Sequence, residues 1–245
     1  MDPGVMVLAA GRGTRLGPVT ADLPKPLIPV GGRPILFWTL EWLAAAGARE
    51  VWLNLHHRGE RIRAAVGAGD RFGLAVRYSP EETLLGTAGG WRRVAGLAPQ
   101  PRWLVVYGDN LMRFDLRAFV AAHRAAGPGT AATVALFDPA RHGNTGLAGG
   151  RAQVAADGRV LGFAEGAAEE EGGLVNAGAY VLESSVVAEV PADPADFGWD
   201  VLPRLAAAGR LHGHVLEPGA FCLGVDTAAA LARAEAMLAD VAVAP

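Results

Sequence analysis

The sequence is poor in cysteine, in lysine and in long apolar runs, and each shortage excludes a class of protein. The single cysteine, Cys222, excludes a disulfide framework and a metal centre built from several thiolates. Hydrophobic residues make up 51% of the chain, but no apolar run approaches the ~18 residues that a membrane-spanning helix needs. The first strand-like run starts at Val5, which leaves no room for a secretory signal peptide. We therefore expect a cytoplasmic protein that does not bind a membrane.

Basic residues are not in excess, and almost all of them are of one kind. The chain has 22 basic and 25 acidic residues and a formal net charge of −3, so it lacks the positive excess expected of a nucleic-acid binder. Every basic residue except Lys25 is an arginine. A chain that uses arginine wherever its surface tolerates one, yet keeps a single lysine, indicates a site that requires a compact ammonium group.

Short apolar runs alternate with helical patterns along the first half of the 245-residue chain. This alternation predicts an α/β fold, Rossmann-like, with a mostly parallel central sheet and helices on both faces. The predicted strands cover 5–10, 51–55, 74–78, 103–107 and 131–137, and the predicted helices cover 34–46, 60–66, 87–97 and 116–126.

The pattern changes from about His142 onwards. A hairpin is predicted over 154–163, further strands over 177–182 and 221–225, and a last helix over 227–241. No long linker interrupts the chain, so we expect one domain over residues 1–245. Its first half extends to about residue 140, and residues from about 141 to 245 form a small substrate-side β region.

A glycine-rich loop follows the first predicted strand, in the sequence from Leu8 to Leu16. Backbone N–H groups of Gly11 and Gly13 would lie at the carboxyl end of this strand, where α/β sheets bind phosphates. The dinucleotide-binding pattern requires a third glycine where this chain has Leu16, so that interpretation fails. A Walker A loop fails as well, because no lysine follows the second glycine, and Arg15 supplies the positive charge instead. Lys25 comes shortly after, between Pro24 and Pro26, which restrict the backbone around it.

The loop and the Pro-Lys-Pro-Leu segment at 24–27 together resemble the sugar-phosphate nucleotidylyltransferases, also called NDP-sugar pyrophosphorylases. The segment 85–89 is similar to the family's nucleotide-binding turn, and 176–178 to its sugar-binding strand. The segment 197–205 is similar to its Asp-Val-Leu-Pro segment. Glu-Glu before Leu-Gly-Thr-Ala-Gly is similar to the mannose-1-phosphate guanylyltransferases, and 54–79 resembles the N-acetylmuramate-1-phosphate uridylyltransferases.

The resemblance implies a GT-A-like nucleotidyltransferase fold, with a nucleotide-binding first half and a sugar-phosphate-binding second half, and it implies roles for individual residues. Arg15 and Lys25 would be catalytic, and Asp109 and Asp226 would bind Mg²⁺. The implied nucleotide contacts are Leu8, Ala10, Gly11, Gly13, Thr14, Glu82, Gly86 and Thr87. The implied contacts to the sugar phosphate are Gly146, Glu165, Asn176 and Asp200.

Two features depart from the family pattern. The second metal aspartate lies in Gly-Val-Asp-Thr rather than Asp-Ile-Gly-Thr, which assigns the contact to Asp226; the alternative is that Asp226 caps the last helix. The family's Phe-x-Glu-Lys-Pro lysine, which binds the sugar phosphate, is absent after Glu165. Either an arginine such as Arg141 or Arg204 replaces it, or the acceptor differs, for example a cyclitol phosphate.

The implied reaction joins a nucleoside triphosphate to a sugar 1-phosphate and releases pyrophosphate. The resemblance favours GTP as the nucleotide, with a uridylyl- or cytidylyltransferase as the alternative. A second hypothesis is a catalytically silent nucleotide-sugar-binding regulatory subunit. The missing lysine favours this hypothesis. The argument against it is that the chain keeps Arg15, Lys25, Asp109 and Asp226. The sequence leaves the identity of the sugar and a homo-oligomeric state open.

Overall fold

The computed structural model describes residues 3–11, 13, 23–144, 149–166 and 173–243. In chain order the helices are α1 (Ile35–Ala45), α2 (Gly59–Val66), α3 (Gly86–Leu97), α4 (Leu116–Ala125), α5 (Leu202–Ala207) and α6 (Ala228–Val243). The strands are β1 (Gly4–Leu8), β2 (Pro29–Val30), β3 (Arg33–Pro34), β4 (Glu50–Leu55), β5 (Ala75–Pro80), β6 (Arg102–Tyr107), β7 (Asn110–Arg113), β8 (Ala132–Phe137), β9 (Gly143–Asn144), β10 (Arg151–Val154), β11 (Val160–Ala164), β12 (Leu174–Glu183), β13 (Leu211–Val215) and β14 (Phe221–Gly224).

The central sheet has a parallel half and an antiparallel half. Strands β6, β1, β4 and β5 are neighbours in that order and pair in parallel. Strand β12 then pairs antiparallel with β6, β8 and β10, and β10 pairs antiparallel with β11. The predicted fold class is confirmed, and β12 is the strand through which the antiparallel half joins the parallel half.

Strand β1 is buried on both of its faces, as a central parallel strand must be. Val5 and Val7 belong to a core cluster that also includes residues of α1, α2 and α4. Met6 and Leu8, which point the other way, belong to a cluster that includes residues of α3 and α5. The continuous apolar run of β1 therefore has a structural cause: both sides of the sheet are covered by helices.

A separate three-stranded sheet brings Asp109 and Asp226 close together. Strand β14 pairs antiparallel with β7, with Gly224 opposite Asn110, and parallel with the short β9. Asp109 immediately precedes β7, and Asp226 follows β14 by two residues. This pairing brings together two carboxylates that lie far apart in the sequence.

Besides the two-residue strands β2, β3 and β9, the sequence pattern missed β7 and β13. Strand β7 follows β6 after a two-residue turn, and its four residues are too few to show a periodic pattern. Strand β13 reads Leu-His-Gly-His-Val, which alternates but contains a glycine and two polar residues. It pairs in parallel with β8 and so depends on contacts distant in sequence.

None of the helices in the described ranges combines the length and the apolar character that crossing a bilayer would require.

Candidate active site

The carboxyl ends of the parallel strands surround a cavity of about 220 Å³. Leu8, Ala10 and Gly11 line it from the end of β1, and Gly86 and Thr87 line it from the start of α3. Ligands of α/β sheets bind at this edge. Five of the residues predicted to bind the nucleotide therefore lie around one space.

A hydrogen-bond relay connects the end of β1 to the turn before α3. Ala9 donates its N–H to Asn54 Oδ1 at 2.8 Å, and Asn54 Nδ2 donates to Glu81 Oε1 at 2.8 Å. The other oxygen, Glu81 Oε2, accepts from the N–H of Leu85 at 3.1 Å. Burial raises the pKa of Glu81, against the lowering effect of these hydrogen bonds. Glu81 therefore shapes this cavity through the backbone of the turn.

Gly86 allows this turn to contact a distant segment at the backbone level. Its φ is +79°, and a Cβ added there would lie 2.2 Å from the carbonyl oxygen of Ala195. That carbonyl accepts hydrogen bonds from the N–H groups of Ala88 and Gly89, and Leu85 O accepts from Ala195 N. Only glycine fits this position.

A second cavity of about 220 Å³ adjoins the first on the side of the antiparallel strands. The two cavities share Thr87, Tyr107, Asp109 and Asp196 in their linings. Lys25, Glu165, Asn176 and Asp226 line the second cavity as well. The predicted nucleotide and acceptor contacts thus divide between two connected spaces that meet at Asp109.

Lys25 bridges the two predicted metal ligands. Its Nζ lies 2.8 Å from Asp109 Oδ2 and 2.6 Å from Asp226 Oδ1, and the lysine itself is only 3% exposed. Burial on its own lowers the pKa of Lys25, but the two carboxylates raise it above its usual value, so the side chain is an ammonium ion. Gly13 packs against this lysine, since a Cβ added there would lie 2.8 Å from Lys25 Cβ.

Asp109 and Asp226 fit a hard divalent cation by the chemistry of their donor atoms. Both carboxylates converge on one positive centre, and Mg²⁺ prefers oxygen ligands completed by water and phosphate oxygens. No group of three or more His, Cys, Asp or Glu side chains within the described ranges is arranged to hold a metal. The Thr227 hydroxyl accepts from Ala230 N, so helix α6 has a side-chain cap other than Asp226.

Glu165 lies in a slot between two glycines. A Cβ on Gly150 would meet Glu165 Oε2 at 2.5 Å, and a Cβ on Gly198 would meet it at 2.2 Å. Burial and the neighbouring charge of Asp196 raise the pKa of Glu165 to about 7, and a hydrogen bond from the N–H of Gly150 opposes the shift. This carboxyl group therefore holds its proton to a higher pH than an ordinary glutamate does.

The Asn-Ala-Gly segment forms an irregularity in β12. Asn176 Nδ2 donates to Tyr180 Oη at 2.8 Å, and Asn176 Oδ1 accepts from Gly178 N at 2.9 Å. The register with β8 shifts between Asn176 and Tyr180. Gly178 has a φ of +83°, and its open side faces the ring of Tyr107. The segment therefore shapes the backbone of β12, and Asn176 and Gly178 also line the second cavity.

Several predicted residues lie outside both cavity linings or outside the described residues. Glu82 is exposed, and it does not line either cavity. Asp200 does not line either cavity; its Oδ2 accepts a hydrogen bond from the N–H of Asp196. Arg141 and Arg204, considered as replacements for the missing lysine, do not line the second cavity either. The remaining three, Thr14, Arg15 and Gly146, fall outside the described residues.

The two linings also contain residues to which the sequence analysis assigned no role, among them Asn54, Tyr107, Asp196 and Trp199. Asp196 accepts from the Thr87 hydroxyl at 2.7 Å and from the N–H groups of Gly198 and Trp199. Burial raises the pKa of Tyr107 well above its usual value, so its hydroxyl stays neutral. A signal existed for Asp196, because an aspartate before a helical turn is a common N-cap.

Comparison with known proteins shows the family to which the chain belongs. The family model described as Nucleotidyl transferase matches residues 4–240. A mannose-1-phosphate guanylyltransferase of Mycobacterium tuberculosis is 34% identical over 214 residues, covering 86% of this chain and 58% of the relative. A UTP--glucose-1-phosphate uridylyltransferase of Synechocystis sp. is 32% identical over 220 residues, covering 83% of this chain and 55% of the relative. The chain thus spans little more than half the length of these relatives.

A solved structure, HddC from Yersinia pseudotuberculosis complexed with GMP-PN, superposes with a TM-score of 0.78. It is 23% identical and the match covers 96% of this chain and 99% of that one, which supports the fold. The family model extends over almost the whole chain, including both cavities and the strands that form them. The chain belongs to the nucleotidyl transferase family.

Proposed function

We propose that the protein is a sugar-1-phosphate nucleotidylyltransferase, which joins a nucleoside triphosphate to a sugar 1-phosphate. The observation that carries the proposal is the junction of the two cavities. The space at the carboxyl ends of β1 and β6 adjoins a second space at Asp109, beside the ammonium of Lys25. The names of the relatives from Mycobacterium tuberculosis and Synechocystis sp. describe the same class of reaction.

The chemistry requires positioning and neutralisation of charge rather than a general base. The acceptor's phosphate oxygen is already an anion, and it forms a bond to the α-phosphorus while the bond to the β-phosphate oxygen breaks and pyrophosphate leaves. The backbone N–H groups near Gly11 and Gly13 would bind phosphate oxygens of the nucleotide. Lys25 would orient the reacting phosphates, and Arg15 would bind the leaving pyrophosphate.

Asp109 and Asp226 would hold Mg²⁺ in this proposal. A bound Mg²⁺ neutralises charge on the triphosphate and on the acceptor phosphate. Binding of substrate phosphates beside Lys25 would give its ammonium new anionic partners, so it need not remain on both aspartates. The fixed positions of these three side chains lower the cost of assembling the charges at the moment of reaction.

We propose GTP as the donor, with UTP as the alternative. The support for GTP is the similarity of the segment 81–89 to the guanylyltransferases, and the relatives carry names of both kinds. The relay through Asn54 and Glu81 holds the turn that would face the base. Because guanine is larger than uracil, the shape of this turn would determine which of the two bases fits.

Pyrophosphate release in the presence of Mg²⁺ tests the proposal directly. GTP, UTP, dTTP, CTP and ATP are each combined with a panel of sugar and cyclitol 1-phosphates. We expect turnover with one class of pair, and a loss of roughly 10²–10³ in rate for Asp109→Asn. Asp70→Asn, at an exposed aspartate absent from both cavity linings, serves as the matched control and should keep full activity. Nucleotide binding without turnover across the panel contradicts the proposal and favours a regulatory subunit.

A further inference from the structure

The hydroxyl of Thr87 is bonded to a different part of the site from the one that its sequence motif indicates. Thr87 lies in the first turn of α3 and lines the cavity at the carboxyl ends of β1 and β6. Its Oγ1 donates to Asp196 Oδ2 at 2.7 Å and accepts from the N–H of Phe197 at 2.9 Å. A hydroxyl has a single proton, so none remains for a phosphate oxygen of a nucleotide.

The residues bonded to this hydroxyl belong to a turn in the wall of the second cavity. We call residues 195–199 the wall turn. Asp196 lines both cavities, and Trp199 lines the second one. A Cβ on Gly198 would lie 2.2 Å from Glu165 Oε2, so the same turn also lies directly behind the Glu165 carboxylate. The position of the wall turn therefore determines the shape of the acceptor side.

Backbone hydrogen bonds attach the first residue of the wall turn to α3. Ala195 O accepts from the N–H groups at 88 and 89, at 3.0 and 3.2 Å, and Ala195 N donates to Leu85 O at 2.9 Å. The next two residues of the wall turn are bonded to α3 through the side chain of Thr87. Removal of the hydroxyl should therefore leave the backbone attachment intact and change only the position of the residues that follow it.

The turn before α3 has an anchor of its own on the nucleotide side. Asn54, which lines the first cavity, donates to Glu81, and Glu81 accepts from the N–H of Leu85. None of these bonds involves the Thr87 hydroxyl. The part of the turn that would face the nucleotide is therefore held independently of the part that holds the wall turn.

We propose, building on the proposed function, that Thr87 is a positioning residue for the acceptor, although it lies in the turn that the family resemblance assigns to the nucleotide. Its hydroxyl fixes the wall turn, and the wall turn presents Asp196 and Trp199 to the acceptor. Binding of the sugar 1-phosphate therefore depends on this hydroxyl more than binding of the nucleotide does. A side chain that served only the nucleotide would show the opposite dependence.

Substitution of Thr87 separates the two dependences. Thr87→Val removes the hydroxyl and keeps the shape of the side chain. With the nucleotide and acceptor of highest turnover, it should raise the KM for the acceptor roughly tenfold, because the buried Phe197 loses its N–H partner and Asp196 loses one donor. The KM for the nucleotide should change less than about twofold, and Thr87→Ser, which keeps the hydroxyl, should restore the acceptor KM to within about threefold. A tenfold rise in the nucleotide KM, or an unchanged acceptor KM, overturns the inference.

Calorimetry distinguishes failure of this inference from failure of the proposed function. The α,β-methylene analogues of GTP and UTP cannot be cleaved at the reacting bond, so their affinity is measured with Mg²⁺ whether or not turnover occurs. Thr87→Val should bind the analogue that the wild type prefers with an affinity unchanged within about twofold. A tenfold loss of that affinity overturns the inference. Turnover by both proteins with equal acceptor KM values would leave the proposed function standing while refuting the inference.

A control variant and a double variant connect the effect to the wall turn. Thr39→Val removes a buried hydroxyl that donates to Ile35 O in α1, outside both cavity linings, and should leave both KM values unchanged. In an Asp196→Ala background the hydroxyl has already lost its acceptor, so Thr87→Val should raise the acceptor KM less than it does in the wild type. An equal rise in both backgrounds means that the hydroxyl acts without Asp196, and overturns the assignment.

Discussion

Replacing Lys25 with methionine should destabilise the fold, and Mg²⁺ should reverse much of the loss. The substitution preserves the apolar stem and removes the ammonium that lies 2.8 Å and 2.6 Å from two carboxylates. Breaking a buried ion pair costs about 3–5 kcal/mol. Because the side chains of Asp109 and Asp226 are 34% and 20% exposed, water screens them, and we expect a loss of about 2 kcal/mol. For a chain of this size that corresponds to roughly 4–8 °C in Tm.

The assay is thermal and urea unfolding of the variant and the wild type, each with and without millimolar Mg²⁺. A divalent cation bound by the two aspartates replaces the missing charge, so Mg²⁺ should stabilise the variant more than the wild type. Arg61→Met, on the exposed face of α2, removes a positive charge elsewhere and should respond to Mg²⁺ as the wild type does. A Lys25→Met protein that is as stable as the wild type, or that shows no added response to Mg²⁺, refutes the reasoning.

Three further substitutions test other parts of the site. Gly86→Ala should cost about 1–3 kcal/mol of stability in urea unfolding, because the glycine has a positive φ and its open side meets the Ala195 carbonyl. Asn54→Ala should raise the KM for the nucleotide roughly tenfold and leave the KM for the acceptor unchanged, since it leaves the Ala9 N–H and Glu81 without their partner. Glu165→Gln should flatten the pH dependence of stability. A carboxyl group whose pKa is raised to about 7 in the folded state binds more protons there than when unfolded, so wild-type stability should fall between pH 4.5 and about 7.

The fold could be predicted from the sequence where local patterns determine it. The strand and loop from Val5 to Gly11, the helix α1 and the hairpin of β10 and β11 were all foreseen, because apolar period and turn residues lie within a short window. The short strand β7 and the parallel strand β13 were not foreseen. Both are stabilised by partners distant in sequence, which no local pattern reveals.

Some residues of the candidate site could likewise be predicted from the sequence, and others could not. Lys25, Asp109 and Asp226 were identified from composition and motifs, and the pairing of β7 with β14 explains why the two aspartates meet. Their roles remain predictions. Asn54 and Asp196 were not singled out, because nothing near them in sequence indicates that each bonds to a residue more than 25 positions away. Only the three-dimensional arrangement brings these partners together.

Oxygen labelling of the acceptor tests the central claim most directly. A sugar 1-phosphate carrying ¹⁸O in its non-bridging phosphate oxygens is incubated with the nucleoside triphosphate, Mg²⁺ and the protein, and the products are analysed by mass spectrometry. Displacement at the α-phosphorus predicts that the nucleoside diphosphate sugar retains all of the label and that the pyrophosphate contains none. Label in the pyrophosphate, or release of nucleoside monophosphate with the acceptor unchanged, would contradict the account.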